Sequence, residues 1–380
     1  MDPHDRDEAL IPVQFTRSER NLLMGLYSLD PEIENRIRLA VVSGDKLVVR
    51  LNAHDLDELL ASIAAVANHT EDKKLRKALD ELFDRFGGIL DTEFPQDDAE
   101  AQIKMAVDAT NRTPLDDFCG LSPDQMHRLI YEPFGSNSPL RFCPEVDDAT
   151  LDQIPYLRLT EAFLQIIERE GYLRLTAKLG ALPRKVIQEL YSKKFITEEF
   201  IESGAVKLSH ESESAVCTAL HYSTVYSRTV KVRRGKLSLS KYGMQLMESD
   251  KRPELFHHLL QTFTLSYSWA STDFYTDFPI AQMGWGFSVY LLLRYGHEPR
   301  PVQFYAEKYL TAFPELLKCI RPIGRTSPFV NFVRCYEVRT FYRFMEWFGL
   351  IRYINGRSFF QRDKAVIAPT DLLQKVFIIR

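Results

Sequence analysis

The chain has 380 residues, 45% of them hydrophobic and 26% charged, which is ample for packed interiors but too long for one ordinary core, so two or three domains are expected. The net charge of −4 excludes the strongly basic overall balance that usually marks a nucleic-acid-binding chain. The charge is unevenly spread, however. Residues 1–100 hold 12 Lys and Arg against 22 Asp and Glu, leaving 36 against 30 in the remainder, so a mildly basic back half can still meet nucleic acid. Five cysteines, Cys119, Cys143, Cys217, Cys319 and Cys335, form no CxxC pair. A zinc ribbon or a dense disulfide framework is therefore not expected, and a reducing, cytoplasmic setting is the simplest one. No run of 18 apolar residues is free of charge, so no membrane partner is expected.

Residues 1–10 read as an acidic, disordered leader without the apolar core of a signal peptide. Thr16 opens a helix through Leu22, Leu23 and Leu26, and Asp30-Pro31 restarts one through Ile33 and Ile37. Gly44-Asp45 marks a turn before a strand at Lys46–Leu51. Asp55 is read as the cap of a long helix through Leu56, Leu59, Ile63 and Val66, and Glu71 to Phe86 as another helix. Residues 11–90 thus form a small, mainly helical N-terminal domain. Residues 91–155 read as a linker, with Pro95 and Asp97, followed by a capped helix and an ordered loop. Ser122-Pro123-Asp124-Gln125 is a capping box with proline in the first turn, and Pro139, Pro144 and Pro155 punctuate the loop.

Residues 156–250 read as a winged-helix-like region. Residues 251–380 read as an aromatic-rich helical domain ending in a further winged-helix-like unit. Three stretches carry this pattern of helix, short basic strand and Ser/Thr-led restart. The first runs from Gly171-Tyr172-Leu173-Arg174 into Pro183-Arg184-Lys185-Val186. The second runs from Val230 to Ser240 and into Tyr242-Gly243-Met244. The third runs from Phe348-Gly349-Leu350 to Pro369-Thr370-Asp371. The fold class expected is mainly α with short β-hairpins, winged-helix-like units and helical domains.

In the second stretch Val230, Val232, Leu237 and Leu239 alternate with polar residues across Arg233-Arg234-Gly235, the signature of a β-hairpin. Arg233, Arg234 and Lys236 at its tip would supply charge to phosphates without base specificity. The alternative is a solvated hairpin whose charges guard it against aggregation. In the first stretch Pro183 starts a helix with Arg184 and Lys185 in its first turn, where a recognition helix presents residues to bases. Against that, two cations there oppose the helix dipole, and simple exposure explains them as well.

Other chemistry is absent from the motifs. There is no GxSxG elbow, no phosphate loop and no HExxH or Cys/His quartet, so no cofactor or metal is expected. His257 and His258 are adjacent on a helix and point apart. His127 reads as a packed or hydrogen-bonded side chain. Gly284-Trp285-Gly286 reads as a tight helix approach in an aromatic core rather than a dinucleotide fingerprint. The set Tyr267, Trp269, Phe274, Tyr275, Phe278, Trp285 and Tyr290 reads as core rather than a platform for unpaired bases.

Four stretches resemble a family of bacterial proteins of unknown function, some of them plasmid-borne. They are Leu121-Ser122-Pro123-x-x-Met126-His127-x-Leu129-Ile130-Tyr131-x-Pro133-Phe134-Gly135-x-x-Ser138-Pro139, Leu173-x-Leu175-Thr176-x-Lys178-x-x-x-Leu182-Pro183-x-Lys185-Val186, Gly235-Lys236-Leu237-Ser238-Leu239-Ser240 and Phe304-Tyr305-Ala306-Glu307-Lys308-Tyr309. The likeness spans about residues 110–380, and the part around Ala67-Asn68-His69-Thr70 is similar to a domain attached to some relatives. Leu179-Gly180 and Ser240 depart from the Lys-Gly and Thr of that pattern. The resemblance carries no established activity, so it assigns no catalytic residue. The function expected is a non-enzymatic binding protein with double-stranded DNA as partner, the alternative being a protein-interaction scaffold. An enzyme whose site is assembled from distant residues, near His127 or Arg339, stays open.

Overall fold

The computed structural model describes residues 9–26, 29–70, 72–94, 98–143, 146–320, 325–355 and 363–380. The leader 1–8 and the expected loop residues Pro95, Asp97 and Pro144 lie outside them. The chain divides into a unit ending at Ala109 and a second from Thr110 to Arg380, each with its own hydrophobic core.

In the first unit β1 (Ile11–Phe15) leads into α1 (Arg17–Leu23) and α2 (Pro31–Arg38), then β2 (Val41–Ser43), β3 (Lys46–Leu51), α3 (Ala53–His69), α4 (Lys73–Glu93) and the start of α5 (Asp98–Arg112). The sheet order is β1-β3-β2, all antiparallel, with Ile11 opposite Leu51 and Ser43 opposite Lys46. β1 is absent from the elements expected from the sequence; it sits on an edge, where the missing N–H of Pro12 is tolerated. The cap of α3 is Asn52 rather than Asp55. Asp55 stands at the third helical position, returns the bond to Asn52 N–H at 3.0 Å and pairs with Arg36 at 2.5 Å.

The second unit begins with α6 (Pro123–Tyr131), β4 (Leu140–Phe142) and α7 (Asp148–Leu151). The Ser122–Gln125 capping box is present, with Gln125 N–H donating to Ser122 Oγ at 3.2 Å. Then come α8 (Pro155–Glu170), β5 (Leu173–Arg174), α9 (Arg184–Ser192), the single turn α10 (Glu199–Glu202), α11 (Ala215–Tyr226), β6 (Val230–Arg233), β7 (Lys236–Leu239) and α12 (Lys241–Leu246). After α13 (Arg252–Leu265) follow α14 (Trp285–Tyr295), β8 (Arg300–Pro301), α15 (Val302–Ala312), α16 (Pro328–Tyr336), a π-helix over Glu337–Met345, β9 (Ile351–Tyr353), β10 (Val366–Pro369), α17 (Asp371–Val376) and β11 (Phe377–Ile379). β11 pairs with β4, Phe377 opposite Phe142, so the end of the chain closes onto the start of the unit. The architecture is mainly α with small antiparallel sheets.

One arrangement occurs twice. α8, β5, α9, α11, β6 and β7 form a first module with strand order β5-β7-β6. α14, β8, α15, α16, β9 and β10 form a second with order β8-β10-β9. In each, a glycine ends the leading helix (Gly171, Gly296) and a proline precedes the second helix (Pro183, Pro301). The three expected stretches are therefore parts of two modules. The first and second share one sheet, with Leu173 opposite Leu237, and the third closes the other sheet, with Ile367 opposite both Tyr353 and Arg300.

Burial follows the sequence pattern, with exceptions. Tyr267, Trp269, Trp285 and Tyr290 are core residues and Tyr275 is half-buried, but Phe274 and Phe278, also expected in the core, are exposed, Phe274 to 99%. A side chain on Gly286 would meet Leu129 at 3.0 Å, so α14 and α6 approach closely there. Arg339 is fully buried on the π-helix, paired with Asp273 at 2.6 and 3.0 Å and donating also to the carbonyls of Thr276, Phe278 and Ile280. Every nitrogen of this guanidinium is engaged in holding the 273–280 segment.

Candidate nucleic-acid interface

The hairpin β6–β7 turns through Arg234 and Gly235, both in the left-handed region at φ 52° and 69°. Two successive positive φ values give the turn whose twist suits a two-residue hairpin. Gly235 takes that geometry at no steric cost; Arg234 does so under strain. Arg233 stands opposite Lys236, and Lys236 opposite Arg174 on β5. Three cations thus form one cross-sheet row, with Arg234 beside it at the tip. Like charges directly opposite each other destabilise a sheet. The row is eased by Tyr172, whose ring lies 4.0 Å from Lys236 Nζ. Lys236 and Arg174 in turn pull the Tyr172 phenol below its ordinary pKa.

The helix α11 is set by buried polar groups behind it. Ser214 caps it, accepting from Cys217 N–H at 3.2 Å, and Glu198 accepts Ser214 Oγ–H and, at 2.9 Å, Ala215 N–H. Burial pushes the Glu198 carboxyl above its ordinary pKa. Glu211, also buried, accepts Leu182 N–H and lies 2.9 Å from His221 Nδ1, tying the β5–α9 loop to α11. Ser223 bonds Tyr156 on α8 at 2.9 Å. The outer face is left with half-buried Thr218 and exposed Tyr222 and Tyr226, one turn apart with rings 6.3 Å between centroids. α11 carries no Lys, Arg, Asp or Glu.

Arg184 and Lys185 are exposed at the first two positions of α9, which packs against α8 and α11. They do not belong to the helix that precedes the hairpin, which is α11. Arg184 lines a cavity of about 720 Å³ together with Lys178, His210, Thr218 and Tyr222. Lys185 lies within the field of Glu189, which itself holds Arg169 through two bonds of 2.8 and 3.0 Å. Arg233, Arg234 and Lys236 are brought together with Arg174, a residue that the sequence pattern alone does not single out.

A larger signal is present in the sequence. Residues 171–188 contain Arg174, Lys178, Arg184 and Lys185 with no acid, and residues 214–247 contain Arg228, Lys231, Arg233, Arg234, Lys236 and Lys241 with no acid. All these cations are exposed, and none makes an ion pair among the described residues. Elsewhere Arg169, Arg252, Arg300, Arg334 and Arg339 are matched with carboxylates. The second module offers nothing comparable, because α16 and its π-helical extension are buried on nearly every side.

Other candidate groups are occupied or dispersed. His127 is exposed rather than packed in the core, its ring 4.6 Å from that of Tyr131. His257 stacks on Phe142 at 4.7 Å while His258 Nε2 meets Ser227 O at 2.6 Å, so the two point apart. Among the described residues no group of three or more His, Cys, Asp or Glu could hold a metal ion, and no helix is long and apolar enough to cross a membrane. Comparison with protein families, with curated proteins and with solved structures finds no match to this chain.

Proposed function

We propose that the first module is a winged helix that binds double-stranded nucleic acid, DNA being the expected form, with β6–β7 as its wing and α11 as the helix offered to a groove. The observation that carries this reading is the cross-sheet row Arg174–Lys236–Arg233, with Arg234 beside it and no acid to neutralise it. A row that opposes its own sheet is explained by a partner that supplies the missing negative charge. Phosphates do so, and each contact releases condensed counterions. α11 lacks the Arg, Lys, Asn and Gln side chains that read base edges, so affinity rests on the backbone and sequence preference is weak. Tyr222, Tyr226 and Thr218 supply contact area in the groove. No catalytic constellation enters this reading. The free cysteines accord with a reducing, cytoplasmic setting, which belongs to the same proposal.

Retardation of a random-sequence duplex in a native gel tests it. A shifted band at low salt that fades as salt rises supports the proposal. An unshifted duplex at low salt contradicts it and leaves a protein partner with an acidic surface as the better reading.

A further inference from the structure

The cavity at the foot of α11 is walled by the β5–α9 loop, the start of α9, the 209–212 segment and the outer face of α11, and its volume of about 720 Å³ is that of a small-molecule site. Its lining divides by chemistry. Lys178, Arg184 and His210 are exposed on one part of the wall. Neither Lys178 nor Arg184 has a carboxylate partner among the described residues. The acids close by are already engaged. Glu211 accepts Leu182 N–H and faces His221 at 2.9 Å. Glu213, within the field of Arg184, accepts the N–H groups of Ser209 and His210 at 2.6 and 2.9 Å.

The lining also holds one aromatic ring, that of Tyr222. The Tyr222 ring is stacked on buried His221, with centroids 5.2 Å apart and planes at 24°, and remains 43% exposed. His221 is held in turn by Glu211, so the ring is backed by a fixed surface. The nine-residue helix α9 begins at Arg184 in the lining, with Pro183 as its cap and no side-chain cap bond; Val186 N–H already donates to Pro183 O at 2.9 Å, which leaves the N–H groups of Arg184 and Lys185 as the ones at issue. Free N–H groups at a helix start favour an anion.

We infer that this cavity takes a nucleotide, with its phosphate on Arg184, Lys178 and the start of α9 and its base on Tyr222. The inference rests on the reading of the first module as a nucleic-acid binder, because Thr218 and Tyr222 belong both to the cavity and to the outer face of α11. The nucleotide is either free or the unpaired end of a bound strand; the chemistry is the same.

The test uses the full chain and AMP carrying a fluorescent N-methylanthraniloyl group on its ribose, followed by anisotropy. Binding that unlabelled AMP reverses, and that Arg184→Ala and Tyr222→Leu each weaken about tenfold, the scale of a single stacking or phosphate interaction, supports the site. Tyr222→Phe keeps the affinity, and Arg233→Ala with Arg234→Ala leaves it unchanged. Melting by circular dichroism is the same for each variant, since both target side chains are exposed. A second arm compares a blunt duplex with one bearing a short unpaired 5′-phosphorylated end. Tighter binding of the unpaired end, abolished in Tyr222→Leu, assigns the site to the bound strand. AMP binding with no such preference assigns it to a free nucleotide. No AMP binding together with no preference overturns the inference, as does AMP binding undiminished in both variants. The blunt duplex separates the two ideas: its binding with neither AMP binding nor an unpaired-end preference sinks the cavity alone, and AMP binding without duplex binding sinks the wing alone.

Discussion

Two side chains illustrate how charge is handled in this chain. Arg339 and Asp273 are removed from water together, and each is tolerable there because the other is present. Replacing Arg339 by Ala leaves a buried carboxylate without its cation, which costs about 3–5 kcal/mol. Urea unfolding is expected to show a loss of that size, and a loss under about 1 kcal/mol would mean that water reaches Asp273 in the native state. His257 behaves in the opposite sense. Burial first, and then His258, depresses its pKa below the ordinary 6.5. The unfolded chain therefore takes up the proton before the folded one does. The stability this residue contributes is complete above about pH 6.5 and is lost as pH falls through the depressed value. His257→Phe retains the stacking on Phe142, so the fall in unfolding free energy between about pH 6.5 and pH 5 is expected to be shallower in the variant. Equal falls in parent and variant would remove His257 as the source of that pH dependence.

At the scale of elements, what can be read in the sequence is what local chemistry decides. The Ser122–Gln125 box, the Arg234-Gly235 turn and the start of a helix after Pro183 each depend on residues next to one another, and each is found. Two features could not be read because they depend on distant partners. β1 is a strand only because β3 pairs with it, and α11 takes its place in the first module because Glu198 and Glu211, which precede it in the chain, bind its start and its His221. The basic pair Arg184 and Lys185 lies on α9, whereas the helix before the hairpin in the chain is α11. A further restraint lies at Gly243 in α12. A Cβ there would stand 2.0 Å from Thr229 O, the same carbonyl that accepts Ser240 N–H. Gly243→Ala is expected to destabilise the chain by about 1–3 kcal/mol through overpacking, measured as a lowered melting temperature. An unchanged melting temperature would show that α12 moves freely against the hairpin.

At the scale of the molecule, the acidic excess lies in the first hundred residues, while the first of the two similar modules holds, in 171–188 and 214–247, ten exposed cations with no ion pair among the described residues. Net charge alone hides this, because acids and bases cancel in the sum. The two modules have the same order of elements but differ in what they expose: one presents a helix face and a basic hairpin, and the other buries its corresponding helix in an aromatic core. Of the three basic-strand patterns in sequence, the first two meet in one sheet whose exposed cations stand side by side. The central claim is that this edge meets phosphates. Fluorescence anisotropy of a labelled random duplex, titrated over a series of salt concentrations with the parent chain and with Arg233→Ala/Arg234→Ala, tests it most directly. If these two cations meet phosphates, removing them reduces the slope of log affinity against log salt by roughly 2, with an unchanged melting temperature. An identical salt slope in parent and variant, or no binding by the parent at low salt, would contradict the claim.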